Sequence, residues 1–294
     1  MKEHPKNRFV GKISRGFDSF TPSDRKIADY LLSVYPLGLL QNAAEIAEEL
    51  ELTASTVVRF FPKIGYDNIK EARADFSEDI RFLINSPADR VRSENGRLDS
   101  NDTFGLTMEQ DIANIRETIS SIDIDVVNRF VDLMSESSRD VYILGTRKEA
   151  SVSRYFSYQL SSFHKSVKLL DPSNMVDQLA EFTPNDILVV FDFRRYSSYH
   201  MKACEYVTKH KGNIVVFADS PISPSAQYTD CLFLIKTTGL SAFDSYTPAF
   251  TIINALGSIL VEKNADLVGQ KYETLESLYE HFDIFTYQNH KTSN

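Results

Sequence analysis

From Val141 onward the chain keeps returning to short, continuous runs of β-prone apolar residues, and this recurrence limits its fold more than any other feature. The runs are Val141 to Leu144, Val167 to Leu170, Ile187 to Phe193, Ile214 to Phe217 and Cys231 to Ile235. None alternates apolar with polar, so each strand is expected to be covered on both faces, as in a parallel sheet. A helical stretch follows each of the first three runs. Strands spaced by helices predict a five-stranded, doubly wound α/β domain with right-handed connections.

The first 83 residues read as helices. Thr21 can cap, Pro22 suits a first helical position, and Ile27, Leu31 and Val34 follow at helical spacing. Pro36 and Gly38 end that helix. Asn42 opens a second helix with Ile46, Ala47 and Leu50 on one face. Thr53 opens a third with Val57, Phe60, Phe61 and Ile64 inward, closed by Gly65. Asn68 opens a fourth, which runs through Phe76. Residues 84–105 are polar and turn-rich and read as a linker, and helices are expected over about Leu106 to Ser120 and Val126 to Ser135. Residues 271–294 read as a helical tail.

Composition removes several function classes. The chain has 294 residues, room for two domains, and its 42% hydrophobic and 25% charged fractions are those of a soluble globular protein. No run approaches the roughly 18 apolar residues of a membrane helix. Met1 to Val10 lacks the apolar core of an export signal. Cys204 and Cys231 are too few for a disulfide framework, and the six histidines lack metal spacing. The expectation is a reduced, cytoplasmic protein with no metal, no cofactor and no membrane partner. The net charge of −9 is uneven: residues 1–83 hold 12 Lys and Arg against 13 Asp and Glu, so the acidity sits mostly beyond them. A near-neutral unit still binds nucleic acid if its cations share a face.

Residues 43–62 are spaced for a helix-turn-helix. Ala43 to Leu50 is the first helix, Glu51-Leu52 the turn, and Thr53 to about Phe61 the recognition helix. Its first turn offers Thr53, Ala54, Ser55 and Thr56, small groups that let the backbone approach a major groove. Arg59, one turn on, is long enough for a guanine edge or a phosphate, and Lys63 and Lys70 are placed for flanking phosphates. Pro62 is expected to shorten or bend the helix, since it removes a donor and disfavours helical backbone at Phe61. Spacing alone fits a plain helical bundle equally well.

The segment Phe20-Thr-Pro-Ser-Asp-Arg-Lys-Ile-Ala-Asp-Tyr30, with Ala44-Glu-Ile-Ala47, Thr53-Ala-Ser-Thr-Val-Val-Arg-Phe60 and Lys63-Ile-Gly-Tyr66, resembles the RpiR-type regulators (ribose-phosphate isomerase repressor family) over about residues 7–83. The resemblance implies an N-terminal all-α helix-turn-helix domain and a C-terminal α/β SIS (sugar isomerase) domain over residues 106–270. Glu109 to Thr118 and Asp219 to Ala226, with Asp230 beyond, are similar to segments of that domain. It further implies double-stranded DNA with an inverted-repeat operator, a small anionic carbohydrate-derived effector, and a homodimer or homotetramer.

The phosphate loops depart from the family pattern. The turn after the first strand reads Gly145-Thr-Arg-Lys-Glu-Ala150 where a glycine- and serine-rich turn is usual. The Ser-x-Ser-Gly-x-Ser/Thr turn after the third strand reads Asp192-Phe-Arg-Arg-Tyr-Ser197, so Arg195 falls on the glycine and only Ser197 keeps its type. Ligands of open parallel sheets bind at strand carboxyl ends, and helix N-termini attract anions. Arg147, Lys148, Arg194, Arg195, Ser197 and Ser198 are therefore the expected ligand set, with Glu149 or Asp192 able to neutralise an arginine. Two adjacent arginines also suit a solvated loop or an internal ion-pair cluster. No catalytic constellation stands out, so a non-enzymatic regulator is expected. A phosphosugar isomerase is the alternative, and an interaction protein without ligand response is a third.

Overall fold

The chain divides into two units, Met1–Arg97 and Leu98–Asn294. A computed structural model describes residues 5–33, 37–76, 87, 100–136, 138–221 and 223–285. The expected helix stop at Pro36, most of the linker region up to residue 99, and positions 286–294 of the expected tail lie outside them.

In the first unit the described helices are α1 (Pro5–Gly16), α2 (Pro22–Ser33), α3 (Ala43–Glu49), α4 (Ala54–Lys63) and α5 (Ile69–Asp75). Local chemistry sets their starts. Asn42 Oδ1 accepts from the Ala44 and Glu45 amides at 2.9 and 3.1 Å, and Glu45 Oε2 accepts from the Asn42 amide at 2.7 Å, a reciprocal cap. Asn68 caps α5 the same way through the Lys70 and Glu71 amides. Phe9, Ile27, Ile46, Val57, Phe60, Phe61 and Phe76 are buried together. Phe20 meets Phe60 at 5.4 Å and Phe9 meets Phe76 edge-on at 5.3 Å, separations at which ring quadrupoles attract.

Pro62 does not shorten α4, contrary to the sequence expectation. The helix runs through it to Lys63, and the Tyr66 amide returns to the Phe61 carbonyl at 3.1 Å, with Gly65 just past the end. Burial of Phe60, Phe61 and Ile64 holds that last turn helical against the missing donor.

The second unit contains α6 (Ser100–Ser121), α7 (Ile124–Met134), β1 (Val141–Leu144), α8 (Glu149–Leu160), β2 (Val167–Leu170), α9 (Met175–Leu179), β3 (Ile187–Asp192), α10 (Ser198–Lys209), β4 (Asn213–Ala218), β5 (Cys231–Leu234), α11 (Thr247–Lys263) and α12 (Ala265–His281). The helix expected from Leu106 begins at Ser100, so the last residues of the expected linker are its opening turn. Their polarity suggests a loop, but Asp102 in the first turn complements the helix dipole.

All strand pairs are parallel, in the order β2-β1-β3-β4-β5. Both faces are covered, as the apolar runs require. Odd-numbered residues such as Val141, Ile143, Val189, Phe217 and Phe233 pack with α7, α8 and α11. Even-numbered ones such as Tyr142, Leu144, Val190 and Val216 pack with α9 and α10. The chain leaves β1 towards β2 and returns to place β3 on β1's other side, so the strand order switches between β1 and β3. In such a sheet a crevice opens there, at the carboxyl ends.

Candidate functional site

In the first unit, α3 and α4 are joined by the turn Leu50 to Thr53. Glu51 takes a left-handed φ of 54°, and the Leu52 amide donates to the Ala47 carbonyl at 2.8 Å. Thr53 caps α4, its Oγ1 accepting from the Thr56 amide at 3.3 Å. Thr53, Ala54, Ser55 and Arg59 are exposed and Thr56 is half-buried. The Arg59 guanidinium folds back onto the Ser55 carbonyl at 3.3 Å, a bond that holds no buried structure together. Lys70 is exposed on α5.

Lys63 does not join this face as a free cation. Its Nζ lies 2.5 Å from Asp24 Oδ2, and that carboxylate also accepts from the Thr21 amide and hydroxyl at 2.8 and 2.6 Å. Lys26 donates to the Leu50 carbonyl at 2.6 Å, and Arg73 to the carbonyls of Leu39, Leu40 and Gln41. Three cations of the unit thus hold the bundle together.

At the β1/β3 switch the loops after both strands come side by side, each leading into a helix: α8 after β1 and α10 after β3. Ser197 is the N-cap of α10, accepting from the Tyr199 amide at 3.3 Å. Gly145 is required by close approach: a Cβ there would lie 2.1 Å from Ser153 Oγ and 2.9 Å from the Glu149 carbonyl oxygen. Arg147 and Arg195 are exposed, with φ of 55° and 72°. Ser198 is exposed and Ser197 half-buried.

Arg194 is different: its guanidinium is buried and paired with Asp244. Lys148 Nζ reaches the other oxygen of the same carboxylate at 2.9 Å. Asp244 thus bridges the loops after β1 and β3. Beneath them, Asp192 is fully buried and hydrogen-bonded to His200 Nδ1 at 2.9 Å and to the Ser225 amide at 3.2 Å, so it underpins the loop. Asp219, at the end of β4, accepts from the Arg194 amide at 2.7 Å and from the Tyr196 hydroxyl at 3.0 Å. Burial, with a contribution from the Asp192 charge, pushes its carboxyl up to about 7 against those hydrogen bonds. Burial likewise raises Glu149, which accepts from the Tyr246 hydroxyl at 2.9 Å. A separate cleft of about 470 Å³ lies between α8, α11 and α12; its lining holds Glu262 and no cation, which does not suit an anion. Among the described residues no cluster of His, Cys, Asp and Glu is placed to hold a metal.

Residues 134–259 match the family model described as the SIS domain. The second unit carries an SIS domain. A relative from Haemophilus influenzae, named an uncharacterised HTH-type transcriptional regulator, is 23% identical over 279 residues, 92% of this chain and 96% of its own. The Vibrio vulnificus NanR protein, solved in complex with ManNAc-6P, superposes with a TM-score of 0.55 at 17% identity over 97% of this chain and 100% of its own. The sugar isomerase domain of an RpiR transcription factor from Sphaerobacter thermophilus gives 0.56 at 18% identity over 58% of this chain and 97% of its own. The chain therefore shares the fold of these structures, a helical unit with a helix-turn-helix followed by an α/β unit whose residues 134–259 match the SIS model. Within this domain the loop after β3 departs from the turn it resembles. Arg195, which falls on the glycine of the turn that the loop resembles, holds the left-handed backbone that glycine favours. Sequence reading met Asp219 only as the first residue of the segment Asp219 to Ala226, and it did not single out Asp244, Tyr246 or His200. They belong to no local motif and reach the site only through the sheet topology.

Proposed function

We propose that the chain is a cytoplasmic, DNA-binding transcription regulator whose SIS domain senses an anionic, sugar-phosphate-like metabolite and controls carbohydrate-related genes. One observation carries this reading: a helix-turn-helix with an exposed, small-residue recognition turn shares a chain with a switch-point crevice. Two helices start, and the exposed Arg147 and Arg195 lie, in the loops that follow the adjacent strands β1 and β3 at that switch. The regulator name of the Haemophilus relative and the sugar phosphate in the NanR complex support the same reading.

Thr53, Ala54, Ser55, Thr56 and Arg59 form the DNA face, with Lys70 at its flank. Lys63 supports α4 from the solvent-facing side of its pair with the buried Asp24. Arg147, Arg195, Ser197 and Ser198 hold the effector, joined by Lys148 and Arg194 when Asp244 yields them. Two copies act on an inverted repeat, since one recognition helix makes few base contacts. Phe104, Met108, Ile112 and Ile119 of α6 are exposed apolar residues suited to such self-association. Among the described residues no helix is long and apolar enough to cross a membrane.

A gel-shift and calorimetry series with the DNA upstream of its own gene and a panel of sugar phosphates tests the reading. Tight, sequence-dependent binding that one phosphate alters is expected; no preference over random DNA would sink it. The alternative, a phosphosugar isomerase, has Glu149 in its favour, a buried carboxyl of raised affinity for protons at the head of α8. Turnover of aldose or ketose phosphates on the order of 1 per second or faster would establish it instead.

A further inference from the structure

α6 is fastened to the segment 234–247 by four hydrogen bonds. Thr247 Oγ1 donates to Asp111 Oδ2 at 2.9 Å, and Asn114 Nδ2 donates to the Thr238 carbonyl at 2.7 Å. The Lys236 amide donates to Thr118 Oγ1 at 2.9 Å, and Ser121 Oγ to the Leu234 carbonyl at 3.3 Å. Positions 111, 114, 118 and 121 recur at helical spacing, so the bonds form one seam along one face of α6. Asn114 and Thr118 are buried, so water does not readily replace their bonds.

The same segment carries Asp244. It is closed on itself: the Ser245 amide donates to the Thr237 carbonyl at 3.1 Å, and a Cβ on Gly239 would lie 1.8 Å from the Phe243 carbonyl oxygen. The two ends of the loop are thereby tied to each other. One end of it therefore sits on the two cationic loops of the crevice and the other on α6, the first described helix that follows the DNA-binding unit in the chain.

We infer that Asp244 is a resident anion holding the place of the effector's anionic group on Arg194 and Lys148, and that its displacement is passed by the 237–245 loop to α6. The inference rests on the anion-sensing reading above. A carboxylate and a phosphate compete for the same two cations, since each offers oxygens for charge-assisted hydrogen bonds, here Oδ1 of Asp244 to Arg194 and Oδ2 to Lys148. An internal carboxylate acts at high effective concentration, so a neutral sugar cannot remove it, whereas a phosphate dianion brings more charge and more acceptor oxygens. The device thereby selects phosphorylated over unphosphorylated ligands and links their binding to a change at the chain's connection.

The test uses the full-length protein with inorganic phosphate as probe, read by calorimetry and by hydrogen exchange over residues 236–246 and 110–121. Phosphate is expected to speed exchange in both segments of the wild type. Asp244→Asn is expected to bind phosphate at least tenfold more tightly and to show the faster exchange before any phosphate is added. Thr118→Val, which removes one bond of the seam without changing volume, should keep the wild-type phosphate affinity and lose the response in 110–121. Phosphate binding that Asp244→Asn does not strengthen overturns the competition. Bound phosphate with unchanged exchange in α6 overturns the transmission. If Asp244→Asn fails to fold, the wild type and Thr118→Val decide the matter by exchange alone. Absence of phosphate binding in both the wild type and Asp244→Asn overturns the anion-sensing reading together with the inference, whereas binding without the gain overturns the inference only.

Discussion

Replacing Lys63 by methionine separates a structural lysine from a DNA contact. Asp24, its partner, has a side chain only 3% exposed, and the substitution leaves that carboxylate with two donors from Thr21. Breaking a fully buried pair costs about 3–5 kcal/mol. The Lys63 side chain is 35% exposed. Solvent already screens part of its attraction, and about 1–3 kcal/mol is the better expectation. Burial alone would raise the Asp24 carboxyl, but the hydrogen bonds from Lys63 and Thr21 outweigh it and hold it below the usual value. A depressed carboxylate stabilises the fold above its unfolded-state range and loses that contribution as pH falls through the folded value. Urea unfolding followed by circular dichroism should therefore show a lower midpoint for Lys63→Met at pH 7, with the gap to wild type closing in acid. DNA binding measured across salt concentrations supplies the second readout. Loss of one phosphate contact would lower the slope of log affinity against log salt by about 0.9; an unchanged slope is expected. A reduced slope with an unmoved unfolding midpoint would show that the lysine leaves Asp24 for DNA, and would refute the structural assignment.

Arg59→Ala should weaken operator binding by about 1–3 kcal/mol and relax preference at one site position if the guanidinium reads a base edge; uniform weakening across sequences, measured by competition gel shift, would assign it to phosphate instead. Arg195→Gly should leave stability within about 1 kcal/mol of wild type, because relief of the left-handed backbone offsets the entropy glycine adds to the unfolded chain. The same variant should weaken phosphate binding at least tenfold in calorimetry, and unchanged binding would remove Arg195 from the site. Asp219→Asn should flatten stability against pH: the native carboxyl titrates at about 7 and the unfolded one near 3.8, so the folded state holds the extra proton and wild-type stability falls as pH rises between those values. Thermal melts from pH 4 to 8 read this directly, and a wild-type stability that rises through that window for an Asp219-dependent reason would contradict it.

The sheet was legible because both-face burial writes itself into consecutive residues. Ile187 to Asp192 are buried without a break, and the neighbouring register, Ile187 to Asn213 and Val190 to Val216, extends the same pattern. The caps Asn42, Thr53 and Asn68 were legible for the same reason, since each acts on amides two or three residues ahead. What escaped were pairings between distant positions. Lys63 reads as a surface cation until α2 brings Asp24 beneath it, 39 residues away in the chain. Arg194 reads as half of an open arginine pair until the return from β5 places Asp244 on it, 50 residues downstream. The polar start of α6 misled in the opposite direction, because caps and loops draw on the same residue types.

The altered loops carry a consequence beyond their charge. In a turn built from serines and glycine, neutral hydroxyls and backbone amides grip a phosphate, and an empty site is simply hydrated. Here Arg194 is buried, and a buried guanidinium without an anion would bear a desolvation cost of several kcal/mol. A ligand-free state is thus tolerable only with a carboxylate in the protein to stand in, and Asp244 fills that role from a segment that also fastens α6. If Asp244 is displaced as inferred above, exchanging hydroxyls for arginine converts a passive phosphate cradle into a two-state contact, internal anion or external anion. A binding module needs only affinity, but a regulator needs a difference between two states. On that inference, the arginine that makes this loop look least like the turn it resembles is also the one that gives the site two states to choose between.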